Sequence, residues 1–230
     1  ICDNGEVKSL TYVINATITP KVILSFITKI APTTQTATYP KFPIKPIIGC
    51  IIPDKNCFLA EENGYPAYSI KDMQMYMDEK LSNMTYIDIA GLLSVEDFYT
   101  TDTHWKQENI LDVAVTIGNA MGTPLKAEYE KVTLDIPFYG VYYGQLGLPI
   151  EADKLSHMDN PLFADCIIIN HENGQRIPMY SMDKAEGRDP YEMFLSGSLS
   201  VITIENPNAT TDKELVVFRD SFGSSLAPLL

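Results

Sequence analysis

Positive charge is scarce in this chain. Lys and Arg total 17 against 30 Asp and Glu, a formal net charge of −13 over 230 residues. Such an acidic surface repels phosphate backbones, which argues against nucleic acid as a partner. Long apolar runs are also missing. The longest, 22–27 and 47–52, are strand-sized and fall well short of the ~20 residues that span a bilayer as a helix. The four cysteines, Cys2, Cys50, Cys57 and Cys166, form no paired CxxC units, and there is no HExxH, so no metal-ligand set is legible. Cys50 and Cys57 are close enough in sequence to pair in an exported protein, or to stand as unrelated thiols. With only three histidines, any imidazole chemistry falls to His104, His157 or His171. Repeats and low-complexity segments are absent.

What is present is ordinary globular material. Hydrophobic residues make up 45% and charged residues 20%, enough apolar side chains for a core. The length suits one large domain, or one domain with an insertion. The first residue is Ile1 rather than Met, and 224–230 reads as the first turns of a helix that stops. The expectation is therefore a single domain over 1–230, trimmed at its ends and compatible with a removed export segment.

The pattern along the chain alternates. Residues 22–28 (VILSFIT) form a β-branched, aromatic-rich run that suits a strand buried on both faces. The proline-rich stretch 32–53 reads as loop. A helix is predicted from Ser69, which can cap it, with Ile70, Met73, Met77 and Leu81 on one core-packed face. Residues 86–89 (YIDI) read as a strand, and 105–121 as a second helix stopped by Gly122. This order predicts an α/β fold with a parallel sheet. Residues 123–195 break the rhythm and read as an insertion with antiparallel character. It contains a strand near 132–136 and a hairpin around His171-Glu172-Asn173-Gly174-Gln175. Strands return at 199–204 and 215–218.

Two segments carry chemistry. In Leu215-Val216-Val217-Phe218-Arg219-Asp220-Ser221-Phe222-Gly223, an apolar strand runs into a polar turn and then a helix start. Open α/β sheets place their sites at such carboxyl edges. The backbone N–H groups of Phe222 and Gly223 could there stabilise the oxyanion formed when Ser221 attacks an ester. The plain alternative is that Asp220 or Ser221 only caps a helix. The second segment is Thr101-Asp102-Thr103-His104-Trp105. A serine nucleophile needs a general base, and a histidine base needs a partner that fixes its tautomer. Asp102 and His104 are two apart, so in an extended segment they share a side. The alternative is a surface histidine beside a helix cap. His157 and His171 read as structural or solvated.

The motif Thr-Asp-Thr-His-Trp before a helix, with a later strand ending in Asp220-Ser221-Phe222, resembles the bacterial DHHW family. That family is similar to the alginate O-acetyltransferase-like branch of the SGNH hydrolases. The resemblance implies a three-layer α/β/α SGNH-hydrolase-like parallel sheet. It further implies Ser221 as nucleophile, His104 as base and acid, and Asp102 as the residue orienting it. Thr103 stands where the family name has a second histidine. Gly197 and Ser198 stand where a glycine and an asparagine would assist the oxyanion. Arg219 is a candidate for steering an anionic substrate, or pairs with a carboxylate, and Trp105 lies beside the site. The aromatic-glycine segment 138–143 is either a sugar-stacking platform or a core patch. The implied activity is an O-acyl esterase or O-acetyltransferase on a cell-surface or secreted carbohydrate polymer, without cofactor. It would work outside the cytoplasm, with room for a membrane-bound acyl-donor partner. The rival is a carbohydrate-binding or assembly module that kept the fold without efficient catalysis.

Overall fold

The computed structural model describes residues 9–13 (as backbone), 47–80, 84–147, 149–210 and 213–230. The strand expected at 22–28 lies outside the described residues, as does Leu81. The fold is mixed α/β. A five-stranded sheet runs in the order β7 (Gln175–Arg176), β6 (Ile167–Asn170), β8 (Val201–Glu205), β1 (Ser9–Val13), β9 (Glu214–Val217). Two-stranded sheets form from β2 (Ile47–Gly49) with β3 (Met84–Tyr86), and from β4 (Glu130–Phe138) with β5 (Asp153–Asp159).

The parallel sheet expected from the alternation is not what the described residues form. In the five-stranded sheet only β1 and β9 run parallel; β1·β8, β6·β8 and β6·β7 are antiparallel. The reason is connectivity. Strands β6 and β7 are joined by the short turn at 171–174, which forces an antiparallel pair, whereas parallel neighbours require a long crossover. The hairpin was expected inside an insertion, yet β6 pairs directly with β8 of the main sheet. The stretch 123–195 thus divides between the separate β4–β5 ribbon and the main sheet. Residues 47–49, assigned to loop by their prolines, pair in parallel with β3 instead.

Strand burial follows the period of two. In β8, Ile202 and Ile204 are buried, and in β6 Ile168. In β9, Leu215 and Val217 turn inward against the core while Val216 faces out. The helices differ from expectation. After the short helix α1 (Asn56–Leu59), Ser69 does cap α2 (Ile70–Lys80), accepting the Asp72 N–H at 3.1 Å. None of that helix's side chains is buried, however, and Met73 is exposed, so its methionines are not a core stripe. Trp105 lies outside the second helix, α3 (Leu111–Ala120), which follows a 3-10 turn at Gln107–Asn109. Its buried face, Val113, Ala114 and Ile117, packs with Trp105, Ile110 and the C-terminal Leu226 and Leu229.

The helix α6 (Phe222–Leu226) is the element that positions the site, and buried side chains, Trp105 and Gln107 among them, hold it. Trp105, fully buried, donates its indole N–H to Ser225 Oγ (2.8 Å) and stacks edge-on against Phe222 at 5.4 Å. Gln107, also fully buried, donates to the Ser225 carbonyl (2.7 Å) and accepts the Met158 N–H of β5 (2.7 Å). Trp105→Ala removes both packing and anchor. The expected cost is about 3–5 kcal/mol of unfolding free energy, measured by urea denaturation.

Candidate active site

The segment 97–106 is a closed loop. The Lys106 N–H bonds the Asp97 carbonyl (2.7 Å), the Tyr99 N–H bonds the His104 carbonyl (3.0 Å), and Phe98 bridges Trp105. Its tip carries Asp102 and His104. The two residues do not lie on an extended strand, as the spacing suggested. Asp102 folds a local turn, its Oδ1 accepting both the His104 backbone N–H (2.9 Å) and ring Nδ1 (2.5 Å). Oδ2 accepts the Val141 N–H at 2.9 Å. One face of the loop is clamped by Asp153, which accepts from the Thr100 N–H (2.9 Å), the Thr101 N–H (2.6 Å) and the Thr101 hydroxyl (2.7 Å). Gly140 must be glycine for the loop to seat, because a Cβ there would lie 2.2 Å from Asp102 Cβ.

Across from this loop, β9 ends at Val217, and Phe218-Arg219-Asp220 turn the chain into α6 with Ser221 at its N-cap position. His104 Nε2 lies 2.7 Å from Ser221 Oγ. Residues 117 positions apart are thereby joined, and the three side chains make one continuous hydrogen-bonded line. A carboxylate only accepts, so Nδ1 carries the proton, and Nε2 is left to accept from the serine hydroxyl. Asp102 is 1% exposed. Burial alone would raise its pKa, but the bonds from the His104 ring, the His104 N–H and the Val141 N–H outweigh that and hold it below 3.8.

Tyr191 is the residue that sequence reasoning missed. Its ring lies parallel to the His104 imidazole, centroids 3.8 Å apart and planes 10° apart. Its hydroxyl meets Ser225 Oγ at 2.7 Å. Ser225 spends its own proton on the Phe222 carbonyl (3.1 Å), so the tyrosine is the donor. One side chain therefore spans the His104 imidazole and the helix that follows Ser221. No motif flags it; it reaches the site from the 3-10 turn Pro190–Met193, eighty-seven positions after His104.

The other candidates are placed differently from expectation. Arg219 is buried, and its guanidinium donates to Ser224 Oγ (2.7 Å) and the Asp220 carbonyl (3.0 Å), bracing the turn rather than facing a substrate. Trp105 is an internal anchor. The Phe222 N–H is taken by Asp220 Oδ1 (3.0 Å), and the Gly223 N–H by the Asp220 carbonyl (3.2 Å), so neither amide is spare. The Phe222 ring lies 4.8 Å from the imidazole. Gly197 takes φ +81°, and a Cβ on it would meet Glu192 at 2.8 Å; Ser198 is exposed. No hydrogen bond among the described residues links either of them to Ser221 or His104. His157 is buried against Tyr180, and exposed His171 bonds Thr203 Oγ1 (2.7 Å), both away from this line. Cys50 and Cys57 are free thiols.

A carboxyl held below its ordinary pKa stabilises the fold fully above about pH 4 and loses that contribution as pH falls through the lower folded value. Asp102→Asn removes the dependence. Below about pH 4, Tm of the variant is expected to fall less steeply with acid than wild type, measured by thermal unfolding at stepped pH.

No family model matches the chain, and no curated protein matches it in sequence. Solved structures do match. A DHHW family protein from Eubacterium siraeum is similar with a TM-score of 0.61 at 16% identity over 80% of this chain. The chain spans 65% of that protein's length. PatB1 of Bacillus cereus is similar with a TM-score of 0.62, again at 16% identity, over 80% of this chain and 69% of PatB1. A second PatB1 structure, carrying a sulfonyl adduct, gives 0.59. Identities this low speak to fold. The DHHW resemblance carried by the sequence motifs is thus matched by a shared fold.

Proposed function

We propose that the chain is a serine-dependent O-acyl esterase or O-acetyltransferase acting on a carbohydrate polymer outside the cytoplasm. The observation that carries this is the Asp102–His104–Ser221 line, with its 2.5 Å and 2.7 Å contacts in a largely buried setting. Ser221 Oγ attacks the acyl carbonyl while its proton passes to His104 Nε2. The leaving oxygen then takes that proton, giving an acyl-enzyme. Water or a sugar hydroxyl resolves it by the same exchange in reverse. Asp102 fixes the ring tautomer and stabilises the imidazolium. Among the described residues the Ser221 N–H makes no internal hydrogen bond, so it is the turn's open donor for the oxyanion. The sulfonyl adduct on PatB1, a protein of the same fold, supports the presence of a reactive nucleophile in this architecture. The proposal extends to one SGNH-like unit over 1–230 and to a membrane-bound protein as acyl donor.

A second reading, a polymer-binding module of weak activity, is favoured by one feature. The Phe222 and Gly223 amides are already satisfied, and Gly197 and Ser198 are not bonded to the triad. Oxyanion stabilisation therefore rests on fewer donors, each worth about 10²–10³ in rate.

Hydrolysis of para-nitrophenyl acetate separates the two. The esterase reading predicts turnover that falls at least ~10³-fold in Ser221→Ala and in His104→Ala. Equal rates in wild type and Ser221→Ala would leave the binding module. Tyr191→Leu, which removes the plate under the imidazole, is expected to lower kcat by up to about 100-fold with KM for this small ester little changed. Tyr191→Phe keeps the ring and retains most of the rate.

A further inference from the structure

Beside the triad, on the Asp102 side, lies an open cleft of about 750 Å³, within the range of small-molecule sites. One wall is the α4 helix (Val141–Leu146) and the residues leading into it, with Tyr139, Tyr143 and Gln145. The other wall is built from α5 (Met182–Ala185) and the turn after it, with Lys184, Arg188, Asp189 and Glu192. The aromatic segment divides cleanly. Phe138 is buried against Tyr99, and Tyr142 lies under Lys55, whose Nζ is 4.6 Å from its ring. Tyr139 and Tyr143 instead face the cleft, 42% and 36% exposed, with ring centroids 4.4 Å apart. The two rings lie against each other and leave a contiguous aromatic surface open to the cleft.

The opposite wall is polar and near neutral. Lys184 and Glu192 pair at 2.9 Å, which leaves Arg188 and Asp189 to meet a ligand. Asp189 is exposed on the rim, and partial desolvation of its carboxyl together with the nearby Asp102 charge raises it above the usual range. Flat apolar rings facing a rim of donors and acceptors suit a pyranose, which has a C–H face and a ring of hydroxyls. Two cleft residues are tied by hydrogen bonds to the residues around Asp102 and His104. Val141, which lines the cleft, donates its N–H to Asp102. Asp189, on its rim, accepts the N–H of Tyr191 at 3.2 Å. Neither Ser221 nor His104 lines it. Whatever fills the cleft must therefore extend past it to reach the serine.

We infer that this cleft is a remote saccharide subsite, with Tyr139 and Tyr143 as stacking platform and Arg188 and Asp189 as hydroxyl-binding rim. It holds sugar units beyond the one that reacts. This deepens the carbohydrate reading of the same site and rests on it. The consequence is a length dependence: a chain long enough to span cleft and serine binds more tightly than a disaccharide, which occupies only part of that span.

The test is binding to the Ser221→Ala protein, which cannot turn substrate over. Cellohexaose, chitohexaose and hexagalacturonate are compared with their disaccharides by calorimetry, with amide NMR locating the site. The expected result is at least one hexasaccharide binding about tenfold or more tighter than its disaccharide, with shifts at 139–145 and 184–192. Adding Tyr139→Ala and Tyr143→Ala weakens it at least about tenfold at unchanged Tm, while Tyr142→Ala leaves it unchanged. Absence of binding by all three hexasaccharides, equal affinity in the tyrosine variants, or shifts confined elsewhere would overturn the subsite. Loss of Ser221-dependent ester turnover in wild type is read in a separate assay; it would remove the acyl chemistry and leave this binding result standing on its own.

Discussion

A carboxylate with almost no solvent exposure persists as a charge only when its oxygens are filled with donors. Asp102 is in that position, and much of the surrounding structure serves to fill it. Its own loop turns back to bring the His104 N–H and ring to Oδ1. The start of α4 delivers the Val141 N–H to Oδ2, and Gly140 permits the close approach. Asp153 pins the preceding threonines, so the loop cannot relax away. The depressed Asp102 pKa and the fixed imidazole tautomer both follow from this one arrangement.

The Ser221 side is organised by a different logic. Strand β9 ends in the sheet, and Ser221 sits at the junction with a short helix too small to hold itself in place. Trp105, Gln107 and Tyr191 anchor that helix through Ser225 and its carbonyl, and all three come from chain segments attached to the His104 side of the site. His104 and Ser221 are thus referenced to the same few buried atoms. Their 2.7 Å separation is a property of packing rather than of sequence proximity.

How much of this was legible in the sequence varies by the range of the interaction. The strand-turn-serine-helix at 215–226 and the Asp-x-His spacing are local patterns, and they drew attention to Asp102, His104 and Ser221, which the fold brings into one hydrogen-bonded line. Tyr191 was invisible because a stacked ring leaves no local signature. Whether Arg219 faces a substrate or the interior was not legible, because burial of a turn residue depends on what covers it. The parallel sheet was over-extended for a related reason. Alternation of strand and helix says nothing about which strands meet, and here β6 returns to β8 as an antiparallel neighbour. Likewise the methionines of α2 share a helical face, but periodicity cannot tell whether a partner layer lies against it.

The central claim is that His104 activates the Ser221 hydroxyl. Its most direct measurement is peptide-mapped mass spectrometry after treatment with phenylmethanesulfonyl fluoride. A single sulfonyl adduct on Ser221, lost in His104→Ala with the fold intact, is the predicted result. Labelling that is absent, falls on other hydroxyls, or persists undiminished without the imidazole would contradict it.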